Sequence, residues 1–236
     1  MGSRPVSLSV VIMAFNEKGA IEAQVRDTLT FLDRKGLEGE VVAVDDGSTD
    51  GTGELLDRLA LDEPRVRPVH HPRNLGMGVA IRSGYNAARM EYLTQLPGDG
   101  QVAPGTLERF LGHLDDTDLV LSTYSRRDDG AARWVVSHVY QSIAWMILGD
   151  TCRFTGTMVF RRALLERFRL ASDTFMVNVE VPLKLMKMGV EPAMVTIEAV
   201  DRAHGRSKVL SASGVAGVIH EMLALRRELV LFSAHD

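Results

Sequence analysis

Three groups of residues carry side chains able to do chemistry. The segment Asp45-Asp46-Gly47-Ser48-Thr49-Asp50-Gly51-Thr52 sets paired carboxylates behind the apolar run Val41 to Val44. Carboxylates at the C-terminal end of a buried strand can accept hydrogen bonds from ribose hydroxyls or a base N–H, and Gly47 lets the chain turn sharply. Ala14-Phe15-Asn16-Glu17 follows another apolar run, beginning at Leu8. If the two runs are neighbouring strands of one sheet, their polar ends share an edge. Far downstream, Asp201-Arg202-Ala203-His204-Gly205-Arg206-Ser207-Lys208 offers the cations an anionic ligand needs. Arginine can hold a phosphate through two parallel N–H bonds, lysine adds point charge, and Gly205 permits the turn between them. The plainer alternatives are a polar turn in which Asp50 caps the next helix, and a solvated basic loop.

These groups need a scaffold. At 236 residues the chain is long enough for one α/β domain with a substantial core, with a first half over about 8–123 and a second over about 124–236. Apolar content of 45% and charged content of 25% are ordinary for a globular protein. A net charge of -4 gives no reason to expect nucleic acid as a partner. The single cysteine, Cys152, excludes an internal disulfide and a Cys-rich zinc site, and fits a reducing, cytoplasmic setting. The N-terminus lacks the apolar core of a signal peptide. The most membrane-like stretch, Ile143 to Leu148, falls far short of the roughly twenty residues a bilayer span needs. Peripheral contact with the inner face of a membrane stays open, and oligomeric state is not legible.

Apolar strands are expected at Leu8–Met13, Glu40–Val44, Val66–His70, Tyr92–Leu96 and Leu119–Thr123. Between them the spacing predicts helices from Asn16 or Glu17 to Lys35, from about Asp50 to before Pro64, from Gly78 to about Met90, and from Pro104 through Leu114. Strands alternating with helices argue for a mostly parallel, doubly wound sheet. Beyond Tyr124 the rhythm changes: helices at Arg133–Leu148, Val179–Met188 and Ser213–Phe232, and strands at Thr157–Phe160 and Pro192–Ala199.

On these residues the chain resembles the inverting family 2 glycosyltransferases, and among them the polyprenol-phosphate (dolichol-phosphate) mannose synthase group. The resemblance spans Leu8 to about Leu210 and rests on Ala14–Glu17, Val44–Thr52, Asn74-Leu75-Gly76 and the Arg202…Gly205…Ser207-Lys208 segment. It implies the glycosyltransferase-A fold and a GDP- or UDP-sugar donor, with 8–123 as the nucleotide-sugar-binding half and 124–236 as the acceptor-side half. It places Ala14, Asn16 and Glu17 along the nucleoside pocket, Asp45 and Asp46 at base and ribose, and Arg202, Ser207 and Lys208 at the diphosphate. The family's Asp-x-Asp-x-Gln metal motif falls on Pro97-Gly98-Asp99-Gly100-Gln101. Asp99 and Gln101 are then the expected ligands of a weakened Mg²⁺ or Mn²⁺ site, because Pro97 removes one formal charge. His70 and His71 have no partner at zinc spacing and are expected to be structural.

The resemblance also implies an acceptor-phosphate clamp from Arg133 and Ser137, four apart on one helix, with Arg126 nearby, while Tyr124 takes the position aligned with the family's other acceptor arginine. Thr155-Gly156-Thr157 stands for the family's Ser-Gly-Phe turn, and Cys152 for its aspartate, with Asp150 two residues away. Three functions follow. The first is hexose transfer to a polyprenyl phosphate, which is already anionic and needs no strong base. The second is transfer to a small hydroxyl- or amine-bearing acceptor, with Asp150 or Glu180 as general base. Glu180 could equally complement its own helix N-terminus. The third is a nucleotide-sugar-binding protein without catalysis.

Overall fold

The computed structural model describes residues 6–124, 130–150, 156–198 and 212–232. The described residues build one seven-stranded sheet from β1 (Ser7–Ala14), β2 (Glu38–Asp45), β3 (Val66–His70), β4 (Tyr92–Pro97), β5 (Leu119–Tyr124), β6 (Met158–Arg161) and β7 (Ala193–Ile197). The helices are α1 (Ile21–Lys35), α2 (Thr52–Asp62), α3 (Met77–Ala87), the short α4 (Glu108–Leu111), α5 (Gly130–Leu148), α6 (Val177–Lys187) and α7 (Ala212–Leu231).

Strand order is β3-β2-β1-β4-β6-β5-β7. Every pairing is parallel except those of β6, which runs antiparallel to both β4 and β5. The chain leaves β1 toward β2 and β3, then returns to place β4 on the other side of β1. That reversal is a topological switch point, where an open α/β sheet leaves a crevice beyond the C-terminal strand ends. The expected acids of β1, β2 and β4 all fall on this edge.

Side-chain alternation along β1 explains the layering. Leu8, Val10 and Ile12 pack on one face with Ile21, Val25, Leu32 and Leu56, from α1 and α2. Val11 packs on the other with Val42, Val44, Ile81, Tyr85, Phe160 and Val181, from α3, α6 and the flanking strands. Apolar residues face both ways because both faces are covered. A third cluster, Ala144, Met176, Val179, Leu183, Met222 and Leu225, joins α5, α6 and α7. Among the described residues, no helix is long and apolar enough to cross a membrane.

Three expected helices are shorter in the structure, among them the third, which ends at Ala87 and not at about Met90. The first begins at Ile21, not at Asn16 or Glu17, because residues 16 to 18 are recruited by the next strand's loop. The stretch after Pro104 is a single 3₁₀ turn (Pro104–Leu107) leading into α4, and Gly112 follows it.

Candidate active site

A cleft of about 250 Å³ opens at the switch point. Ala14, Phe15 and Glu17 line it from the end of β1, Asp46 from β2, Asn74, Gly76 and Met77 from the entry to α3, and Pro97, Gly98 and Asp99 from β4. Backbone bonds carry the sheet past its formal ends: Asp46 N–H donates to Ala14 carbonyl, and Gly98 N–H to Met13 carbonyl, each at 2.9 Å. The three strand ends are thus held side by side, and their polar residues with them.

The turn after β1 is laced to the turn after β2. Asn16 adopts a left-handed conformation (φ 58°), uncommon outside glycine and tolerated best by Asn and Asp. Its N–H donates to Ser48 Oγ at 2.9 Å, and its side-chain oxygen accepts the Thr49 N–H at 2.9 Å. Glu17 N–H donates to Thr52 Oγ1 at 3.0 Å, and Lys18 N–H to Asp50 Oδ2 at 3.1 Å. Asn16 therefore shapes the rim through the chain itself, with its amide oxygen already engaged.

Asp45 and Asp46 separate, as neighbours along a strand must. Asp45 points away from the cleft. Its Oδ1 accepts the Ser48 N–H at 3.0 Å, and its Oδ2 lies 3.4 Å from His70 Nδ1 and under Gly53, where a Cβ would come within 2.6 Å. Asp46 faces the cleft. Its Oδ1 meets His71 Nδ1 and the Leu75 N–H, both at 2.8 Å, and its Oδ2 accepts the Gly76 N–H at 2.9 Å. Asp46 thus positions the Asn74–Gly76 wall, whereas Asp45 organises the turn beneath.

His71 bridges Asp46 and Ser83 Oγ at 2.9 Å. His70 bridges Asp45 and Asp57. Both rings are thus engaged on both nitrogens, and among the described residues no three His, Cys, Asp or Glu side chains cluster to hold a metal. Partial burial disfavours the His70 cation, but hydrogen bonds to Asp57 and Asp45 outweigh it and raise its pKa.

Asp99 completes the floor. The Gln101 backbone N–H donates to its Oδ1 at 3.0 Å, and Gln101 Nε2 donates to its Oδ2 at 2.6 Å. Gln101, expected as a metal ligand through its amide oxygen, turns its amide nitrogen onto the carboxylate. Burial, then the fields of Asp99 and Asp50, hold the Glu17 carboxyl above its ordinary pKa. Two mutually repelling carboxylates at one rim are hard oxygen donors, a donor set that suits Mg²⁺ or Mn²⁺ completed by phosphate oxygens and water. Phe15 and Met77, 45% and 53% exposed, add apolar surface on which a base could stack. Phe15 stood inside the recognised motif; its signal was its place beside the buried Ala14, which turns it outward.

Glu180 is not available as a general base. It has no exposure, and both its oxygens accept backbone N–H groups, of Ala171 and Ser172, at 2.8 Å. Asp150 follows α5 and is partly buried. Arg133 and Ser137 lie on α5, four apart as expected, but their side chains lie outside what is described. Arg126, Cys152, Thr155, Arg202, Ser207 and Lys208 also lie outside the described residues.

The model of glycosyl transferase family 2 matches residues 9–169, spanning every element of this cleft. The chain belongs to that family. Among curated relatives it is 29% identical over 184 residues to the polyprenol monophosphomannose synthase of Mycolicibacterium smegmatis, covering 72% of this chain and 69% of that one. It is 31% identical over 176 residues to the glycosyltransferase AglD of Haloferax volcanii, covering 70% of this chain and 28% of that one. A dolichyl-phosphate beta-glucosyltransferase of Trichomonas vaginalis matches at 31% over 100 residues, 40% of this chain and 30% of the relative. The chain thus spans less than a third of the length of two of these relatives.

Among solved structures, mannosyl-3-phosphoglycerate synthase from Rubrobacter xylanophilus superposes with a TM-score of 0.72 at 19% identity, covering 98% of this chain and 77% of that one. Glucosyl-3-phosphoglycerate synthase from Mycobacterium tuberculosis, in complex with Mn²⁺, UDP and phosphoglyceric acid, gives 0.70 at 20% identity, covering 97% and 80%. These likenesses establish the glycosyltransferase-A-like fold: a central, mostly parallel sheet flanked by helices.

Proposed function

We propose that this family 2 chain transfers a hexose from a UDP- or GDP-linked sugar, with inversion at C1, to a small soluble acceptor that bears a hydroxyl and an anionic group. The observation that carries the donor side is the switch-point cleft, where Phe15 and Met77 can flank a base and Asp99 sits at the far strand end. A divalent ion held by Asp99, with Glu17 beside it, would neutralise charge on the departing diphosphate. The chain's own part is positioning: Asp46 fixes the Asn74–Gly76 wall, Gln101 orients Asp99, and the laced turns hold the ends of β1 and β2 together. The solved phosphoglycerate-bound relative supports the acceptor class. Glu180 is sealed from solvent whereas Asp150 is only partly buried, so Asp150 is the candidate base.

A second reading has its own support. A polyprenyl phosphate needs no base, which agrees with the burial of Glu180, and the names of the sequence relatives carry that acceptor class. Both acceptors share an anionic phosphate, so one experiment separates them. UDP and GDP are titrated with and without Mn²⁺, and the sugar of the tighter nucleotide is then offered with phosphoglycerate or with polyprenyl phosphate in detergent. Asp99→Asn is expected to lower Mn²⁺-dependent nucleotide affinity by about tenfold, roughly one charge-assisted contact. Asp150→Asn is expected to abolish transfer to the hydroxyl acceptor and to spare transfer to the lipid phosphate. Tight nucleotide binding with no turnover on either acceptor, and no donor hydrolysis, would return the non-catalytic reading. The anomeric configuration of the product tests inversion.

A further inference from the structure

A second carboxylate grips a loop as Asp46 does, but inside the protein. Glu180, in the first turn of α6, accepts the N–H groups of Ala171 and Ser172. Lys184, one turn further on and 1% exposed, donates to Glu180 Oε1 and to the Arg169 carbonyl, each at 2.6 Å. Its ammonium lies 5.6 Å from the ring centroids of both Phe168 and Phe232.

The segment held in this way lies on α3. Arg82 reaches the carbonyls of Leu170 and Ser172 and pairs with Asp173. Gly78 is pressed so close to this segment that a Cβ there would overlap the backbone of Asp173 and Thr174. A Cβ on Gly76 would lie 3.7 Å from the Asp173 carbonyl oxygen. Gly76 is the residue whose N–H Asp46 holds, and it lines the cleft. The two carboxylate-gripped loops therefore meet back to back at the cleft wall.

A buried ion pair is a poor source of stability, since apolar residues of similar volume often serve as well once both charges are removed. Apolar residues cannot, however, accept the two amide bonds that set the loop. We propose that Glu180, with Lys184 as its counter-ion, is a positioning residue that holds the 170–174 loop against the start of α3 and so keeps the Gly76–Met77 wall of the cleft in its binding shape. The proposal rests on the reading of that cleft as the nucleotide site.

The test compares wild type with Glu180→Leu/Lys184→Met and Glu180→Gln/Lys184→Met. Amide hydrogen exchange at 75–78 and 171–172, melting temperature, and UDP and GDP affinity are measured on each. The apolar pair is expected to stay folded, to lose protection at 171–172, to exchange faster at 75–78, and to bind nucleotide about tenfold more weakly, the effect of about one lost hydrogen bond. The glutamine variant, which restores one acceptor, should recover part of both protection and affinity at a similar melting temperature. A folded apolar pair with wild-type exchange at 75–78 would overturn the proposal. Should that pair not fold, Glu180→Gln alone carries the same comparison, and unchanged exchange at 75–78 again overturns it. A wild-type protein that binds neither nucleotide would overturn the donor-site reading and the binding half of the proposal, while exchange still decides the loop contact.

Discussion

Asp46 and Glu180 each accept two consecutive backbone N–H groups, Leu75–Gly76 and Ala171–Ser172, and both are buried, but Asp46, 4% exposed, borders the cleft whereas Glu180 has no exposure. Asp46 directly follows the parallel strand β2 and keeps an edge on the cleft, with a histidine as its third partner. Glu180 sits on a helix in the second half, sealed from solvent, and needs the ammonium of Lys184 beside it. The contrast separates two uses of a carboxylate. At a strand end it shapes a wall that a ligand touches. Within packed helices it shapes the support behind that wall, where its charge must be neutralised internally.

Four substitutions test the contrast, from the largest effect to the smallest. Glu180→Ala leaves Lys184 buried without its close partner, and unfolding in urea should register a loss of about 3–5 kcal/mol. If Glu180→Ala cost less than Asp46→Ala, the distinction between the sealed carboxylate and the one at the cleft edge would break. Gly47→Ala comes next. Its φ of 73° and the backbone of Arg73 and Asn74 against it leave no room for a Cβ, so about 3 kcal/mol should be lost. Equilibrium unfolding close to wild type would mean that the turn after β2 and the loop before α3 can part freely.

Asp46→Ala should cost about 1–3 kcal/mol, because water entering the cleft can satisfy part of what the carboxylate held. Nucleotide affinity should fall alongside, which a calorimetric titration would read. The smallest effect concerns His70, whose pKa is raised by Asp57 and Asp45 against the opposing effect of burial. A raised folded pKa contributes stability that is fully present below the unfolded value of about 6.5 and is lost as pH rises through the folded value. The stability gap between wild type and His70→Gln should therefore narrow with rising pH across that window. A gap independent of pH would count against the Asp57–His70–Asp45 bridge.

Much of the first half was legible because its signals are local. The runs from Leu8 and Val41 are apolar on both faces, as parallel strands must be, and the expected third strand coincides with β3 (Val66–His70). Ala14, Glu17, Asp46 and Asp99 meet in one cleft because sheet order brings the ends of β1, β2 and β4 together. Less of the second half could be read. Nothing local in Met158–Arg161 states that this strand runs against its neighbours, since direction follows from where the chain re-enters the sheet. Glu180 reads from sequence equally as a general base or as a charge at its helix N-terminus, because its partners Ala171, Ser172 and Lys184 carry no motif. Gln101 shared the family's position, yet its amide satisfies Asp99, a choice that depends on the rotamer and not on residue type.

The sequence by itself determined the alternation of strands and helices, the burial of the central strands, and the placing of acids at strand ends, because hydrophobic period and turn chemistry act over a few residues. Tertiary structure alone decided which acids face the ligand. Asp45 and Asp46 are adjacent and chemically identical, but strand pleating sends one under α2 and the other into the cleft. The bonds that fix those roles come from His71, Leu75 and Gly76, some 25 to 30 residues away, and from a loop beyond residue 169 packed behind them. Contacts of that range depend on how the sheet is wound, and no local spacing encodes them.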